Sequence, residues 1–210
     1  MNRLLVLWLL TFIEISLAHP TSFKGSTGLM SQTTSKRDHY QVNYSHEYYL
    51  ATGAHLYQDR EGDDMRRAGF LSSNFLLFRE NSQRFQANLY GIIGAGSSEL
   101  SGEKETAGLY RIQADIEDRK YYFLINQTGI STKKQRELDQ RTIRLGTAPY
   151  VGNFEDLHMW LIAEWQESRR FASKPRTEFT PILRLFYQNV LLEIGRSVSG
   201  DMKFNTIIHF

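Results

Sequence analysis

Apolar residues at every second position, connectors that alternate between long and short, and a final strand ending on an aromatic residue together predict a fold class. The chain reads as all-β, closed into an antiparallel transmembrane β-barrel of about ten strands, within a range of eight to twelve.

The bulk properties are compatible with that reading. At 210 residues the chain suits one domain. A formal net charge of +2 gives no field for a nucleic-acid partner. Mean hydropathy is −0.43, and beyond the N-terminus no apolar run approaches the ~18 residues of a spanning helix. Barrel strands escape that test because they alternate apolar and polar positions. Cysteine is absent, so no disulfide contributes.

The N-terminus has the layout of an export signal. Met1-Asn2-Arg3 is a short basic start, Leu4 to Leu17 is apolar apart from Glu14, and Ser16-Leu17-Ala18 offers small residues for cleavage. A signal peptide is expected over 1–18; an uncleaved anchor or a buried helix is the other reading of the same residues. Residues 19–45, rich in Ser, Thr, Gly and Lys, are expected to be a flexible periplasmic lead-in, and 46–210 the barrel.

The expected strands are 46–57, 68–79, 84–96, 107–117, 120–130, 141–151, 156–167, 178–188, 190–198 and 202–210. Phe85, Ala87 and Leu89 alternate with Gln86 and Asn88. Tyr110, Ile112, Ala114 and Ile116 alternate with Arg111, Gln113 and Asp115. Leu157, Met159, Leu161, Ala163 and Trp165 oppose His158, Glu164 and Gln166. Phe154 to Phe171 lacks Pro and Gly and also fits a helix. The connectors after 57, 96, 130 and 167 are long and those between them are short; only the last, Ser199-Gly200-Asp201, is short where a long one is expected. Short periplasmic turns and longer external loops explain that inequality; a soluble sandwich does not.

In the last strand Met202, Phe204, Thr206, Ile208 and Phe210 share a face opposite Lys203, Asn205 and His209. Met202, Phe204, Ile208 and Phe210 resemble the C-terminal assembly signal of bacterial outer-membrane proteins. Arg144-Leu-Gly-Thr-Ala-Pro-Tyr-Val151, Phe154 to Trp160, Thr180 to Tyr187, Asn189 to Gly195 and Phe204-Asn205 are similar to the C-terminal barrel region of coliphage adsorption receptor and exopolysaccharide-export porin proteins. That resemblance covers about residues 144–210. It implies an exported outer-membrane barrel with a passive envelope role: receptor, small conduit, or partner in polysaccharide export. The resembled proteins carry more strands and often helical repeats in front, and this chain has neither.

With apolar faces toward lipid, the lumen receives Arg111, Asp115, Arg144, His158, Glu164, Arg184, Glu193, Lys203 and His209, together with Gln86, Asn88, Gln113 and Asn205. Both charge signs are present, so a salt-bridged plug and a polar cavity are the two readings. Tyr48, Tyr49, Tyr90, Tyr121, Tyr122, Tyr150, Trp165 and Tyr187 are candidates for interfacial girdles. Lys133, Lys134, Arg136 and Arg141, and Arg169, Arg170, Lys174 and Arg176, form two basic clusters suited to lipopolysaccharide phosphates or simply to water. Expected partners are outer-membrane lipid and lipopolysaccharide, the barrel assembly machinery and polysaccharide-export components.

No cofactor, metal or catalytic residue is expected. Tyr90-Gly-Ile-Ile-Gly-Ala-Gly96 imitates a dinucleotide-binding turn, but Glu99 stands where the third glycine belongs and no helix follows. A hydrolase built on His158, His209 and Glu193 lacks a serine elbow, and a soluble β-rich binding protein is the other alternative.

Overall fold

The structure is a computed structural model that describes residues 20–60, 65–100, 102–153, 155–170 and 174–210. The expected signal peptide lies outside the described residues. Twelve antiparallel strands close into one barrel, each pairing with its sequence neighbours. They are β1 (Thr27–Thr34), β2 (Arg37–Glu47), β3 (Leu50–Asp59), β4 (Arg66–Asn81), β5 (Gln86–Leu100), β6 (Glu103–Glu117), β7 (Tyr121–Thr132), β8 (Arg136–Thr147), β9 (His158–Arg170), β10 (Arg176–Tyr187), β11 (Val190–Arg196) and β12 (Met202–His209). Closure runs from Gly28 opposite His209 to Thr34 opposite Lys203, and leaves no sheet edge unpaired.

Two expectations are corrected. The count is twelve rather than about ten, because 27–34 and 37–47 are strands within and just beyond the segment read as a flexible lead-in. The outward positions of β1 include only one large apolar residue, Leu29, so its alternation is faint; in β2 Tyr40, Val42 and Tyr44 carry it. The long external loops are also absent among the described residues. β5 runs to Leu100 and β6 starts at Glu103, and Ser97 to Glu99 pair with Thr106 to Lys104. Similarly, β7 runs to Thr132 and β8 starts at Arg136. These hairpins are polar on both faces because they rise beyond the apolar band, and that composition imitates a loop. The longest connector, 148–157, is instead on the rim that holds the chain termini. The ambiguous stretch before Phe171 is strand β9 from His158 to Arg170, and the glycine-rich 90–96 stretch is the interior of β5.

The barrel is apolar outside and polar inside. Leu71, Leu77, Ile93, Ile112, Leu145 and Leu161 are each more than half exposed, while Asn43, Asn74, Asp115, Glu164, Arg184 and Glu193 are buried. Such a distribution inverts that of a water-soluble domain, and a continuous exposed apolar band needs a covering phase. On the rim of the termini, Tyr48, Tyr49, Phe85, Tyr121, Tyr150, Tyr187 and Phe210 flank or occupy successive connectors and are all exposed. They form a ring at the edge of the apolar band, where amphipathic rings suit a membrane interface. Tyr90 and Tyr122 are corrected: both face inward and are buried.

β12 closes against β1 as far as Phe210. The Thr27 N–H donates to the Phe210 carbonyl, and the Phe210 N–H donates to the Thr27 carbonyl. Met202, Phe204, Ile208 and Phe210 lie on the outer face, with Phe210 64% exposed. Deleting Phe210 is expected to reduce the amount of heat-modifiable protein in the outer-membrane fraction several-fold, while refolding of the purified chain into detergent is retained. Equal yield in cells would count against the assembly-signal assignment.

Candidate functional site: a charged lumen beneath an open vestibule

A twelve-stranded barrel is wider than the eight-stranded kind that side chains just fill, so large side chains must do the filling. Here they are mostly charged. At mid-height, Lys203 on β12 donates to Glu164 Oε1 on β9 at 2.5 Å. Glu164 Oε2 accepts from Arg144 Nε on β8 at 2.7 Å. Arg144 Nη1 reaches both oxygens of Glu193 on β11 at 3.2 Å, and Arg184 Nε on β10 donates to Glu193 Oε1 at 2.7 Å. Asn205 Nδ2 adds a bond to Glu193 Oε2 at 2.5 Å, and the Arg184 guanidinium lies 4.5 Å from the Tyr122 ring centre. Charges alternate along this chain, and charge-assisted bonds satisfy each carboxylate in a space from which water is largely excluded.

The register explains the meeting. Arg144 pairs with Glu164, Arg184 with Glu193, and Glu193 with Asn205 in adjacent strands, so each partner already faces inward at the same level. Of the nine residues expected in the lumen, Arg144, Glu164, Arg184, Glu193 and Lys203 are brought together in this way. Asp115 belongs to another group, accepting from Asn88 at 2.8 Å and Gln113 at 3.1 Å. Arg111 donates to Thr128 at 2.9 Å and Tyr57 at 3.4 Å. His158 packs beside Phe186. The His209 ring is buried against Gly28 and has no hydrogen-bond partner among the described residues. The structure therefore does not assemble His158, His209 and Glu193 into an acid–base unit.

A further polar chain was not expected. His39 Nε2 lies 3.1 Å from His55 Nδ1, and His55 Nε2 lies 2.9 Å from Ser72 Oγ. Ser72 donates to Asn74 Oδ1 at 2.9 Å, and Asn74 Nδ2 donates to Asn43 at 2.9 Å and to the Pro20 carbonyl at 3.3 Å. This chain contains a serine beside a histidine, but Ser72 and Asn74 are buried. Pro20, Thr21 and Ser26 are buried at the mouth nearest the termini.

Above the charged layer, at the rim opposite the termini, a cavity of about 580 Å³ opens among the connectors. Its floor includes Glu164, Thr180 and Lys203. Around it, two carboxylates each hold two cations. Asp201 Oδ2 is 3.1 Å from Lys36 Nζ and 3.0 Å from Arg176 Nη2. Asp59 is 3.2 Å from Arg37 and 2.8 Å from Arg170. Arg37 also donates to Gln140 across the lumen at 2.9 Å. These clamps include residues that sequence reasoning placed elsewhere. Arg170 and Arg176 point into the vestibule, and Lys174 also lines it, whereas Arg136, Arg141 and Arg169 remain exposed near the same rim. Arg37 lies in the segment expected to be a lead-in, Asp59 at the start of a connector expected to be long, and Asp201 in a short one. The only available signal was alternation in β2 and β3, which puts His39, Gln41, His55, Tyr57 and Asp59 on one face.

Among the described residues no cluster of His, Asp and Glu is placed to hold a metal ion. The fold and this site define a closed, lumen-filled barrel of the outer-membrane type. No protein-family model matches the chain, and no curated protein matches it in sequence. Solved structures of similar shape include the KdgM porin in complex with disordered oligogalacturonate, at 9% identity and TM-score 0.48 over 88% of this chain and 98% of that one. LpxR from Salmonella typhimurium is 10% identical with TM-score 0.48, over 88% and 99% of the two chains. OccAB4 of Acinetobacter baumannii is 9% identical with TM-score 0.42, over 87% of this chain and 56% of that one.

Proposed function

We propose that the protein sits in the bacterial outer membrane as a passive barrel, and that its role is that of a receptor or binding cup and not of a conduit. The observation that carries this reading is the charged layer from Lys203 to Arg184. Glu164 is 1% exposed and Glu193 2% exposed, which supports a lumen filled by side chains at this level. The apolar outer band and the aromatic ring support the membrane location. Exposed Arg136, Arg141 and Arg169 are suited to lipopolysaccharide phosphates above that band. The outward face of β12 suits the barrel assembly machinery. The likeness of residues 144–210 to coliphage adsorption receptor proteins favours a receptor, and the sealed lumen disfavours polysaccharide passage through this chain alone. A part in polysaccharide export would then be as a partner of other components.

Two measurements test this. The protein extracted from outer membranes should run faster on a gel before boiling than after it. Reconstituted in planar lipid bilayers, it should give no steady conductance. A stable ohmic channel overturns the receptor reading, and a soluble protein with unchanged mobility overturns the barrel.

A further inference from the structure

We infer that residues 20–24, ahead of β1, form a releasable strap across the mouth that holds the chain termini, so that access to the lumen from that side depends on whether the strap is seated; this rests on the filled-lumen reading above. Register places the strap. Ser26 exchanges a backbone hydrogen bond with Ser45 on β2, Ser45 pairs with Ala51 on β3, and Ala51 pairs with Asn74 on β4. One row of inward residues therefore crosses the inner wall from β2 to β4, and the strap follows it. The Ser22 N–H donates to Ser45 Oγ at 3.0 Å, and two residues earlier the Pro20 carbonyl accepts from Asn74 Nδ2 at 3.3 Å. Pro20 and Thr21 are buried, and Ala51 and Asn74 in the row are 0% exposed. At the rim the chain turns into β1. The Ser26 N–H donates to the Phe23 carbonyl at 3.1 Å, and Gly25 has a φ of +82°, which favours glycine.

The strap is held lightly. The bonds from Asn74 and Ser45 go to its backbone, and Thr21 Oγ1 is buried with no hydrogen-bond partner among the described residues. Burying a hydroxyl without a partner opposes seating. Lys24 pairs with Glu47 at 2.5 Å, but that pair lies in water at the rim and adds little. Release also costs the barrel wall little. Asn74 Nδ2 donates to Asn43 Oδ1 at 2.9 Å and Asn74 Oδ1 accepts from Ser72 at 2.9 Å, so Asn74 stays partnered when Pro20 leaves. Ser45 Oγ meets water once the mouth opens. β1 itself is fixed by pairing on both sides, and the bonds of Gly25 and Ser26 to Ser45 extend its ladder. Motion is thereby confined to the residues ahead of Gly25, a local opening that leaves the barrel intact.

The chain has no cysteine, so a single introduced thiol reports alone. The test follows the reaction of a bulky, water-soluble maleimide with Ser45→Cys in the purified full-length barrel in detergent, with heat-modifiable mobility checked for every variant. Ser82→Cys, in an exposed connector on the same rim, is the reference. With the strap seated, Ser45→Cys should react roughly tenfold or more slowly than Ser82→Cys. Adding Thr21→Arg, which forces a long cation into a site 1% exposed, should expel the strap. Deleting residues 20–22 removes its inner end. Either change should raise the Ser45→Cys rate roughly tenfold and leave the Ser82→Cys rate unchanged, with the barrel still heat-modifiable. Equal rates at the two positions in the parent, or no acceleration in either strap variant, overturns the inference. Loss of the heat-modifiable form in both strap variants also overturns it, because the segment is then a fixed part of the barrel. Any of these outcomes with a silent bilayer overturns the strap alone, whereas a steady conductance in the parent overturns the filled-lumen reading.

Discussion

Glu193→Ala is expected to lower the unfolding free energy by about 3–5 kcal/mol, read from urea titrations of tryptophan fluorescence in detergent. Glu193 accepts from Arg184, Arg144 and Asn205, and it is 2% exposed. Removing it leaves two buried guanidiniums with Glu164 as their nearest counter-charge, and Arg184 and Arg144 then repel each other inside a low-dielectric space. Glu193→Gln keeps the shape and an acceptor for Asn205, so its cost should fall between alanine and the parent. The paired change Arg184→Met with Glu193→Leu removes one buried cation together with one buried anion, and most of the loss should return. If Glu193→Ala unfolds within ~1 kcal/mol of the parent, the arginines are hydrated and the lumen is not sealed.

That network also marks how far the sequence could be read. Inward and outward faces were legible in β5, β6, β9 and β12 because lipid and lumen impose different chemistry on alternate residues. The polar inward residues of these strands followed from it, inward Tyr90 of β5 did not, and neither did the pairing. Lys203 and Glu164 are separated by 39 positions, and Arg170 and Asp59 by 111. Only register and cross-lumen geometry bring such residues to one level, and neither is encoded in local periodicity. The vestibule was less legible still. Arg170 and Arg176 sit among other basic residues near a connector, and the composition of a stretch does not say which of its side chains turn inward. β1 was hidden for a different reason: Thr27, Ser31 and Thr33 share the outer face with Leu29, so its outer face is too polar to stand out.

A backbone feature carries the second large effect. Gly96→Ala is expected to destabilise the barrel by about 3 kcal/mol or more and to lower the assembled fraction. A Cβ at Gly96 would lie 1.8 Å from the Gly69 carbonyl oxygen and 2.8 Å from the Phe70 Cα on β4. Both obstacles are backbone atoms of a strand already paired to β5, with Phe70 directly opposite Gly96. They cannot rotate away as a side chain would. Relief requires β4 and β5 to separate or the sheet to flatten, and flattening opposes the coiling that lets the barrel close. Gly129 is a milder case: Tyr110 lies across it on the neighbouring strand, and that ring can swing aside. Gly69→Ala and Gly108→Ala serve as controls, because the nearest atom to either new Cβ is 3.9 Å away. Those two should unfold within about 0.5 kcal/mol of the parent. Should Gly96→Ala match them, the close approach of β4 and β5 at this point is wrong, and the curvature of the sheet must come from the bulge at Leu76/Phe78 on the same strand pair.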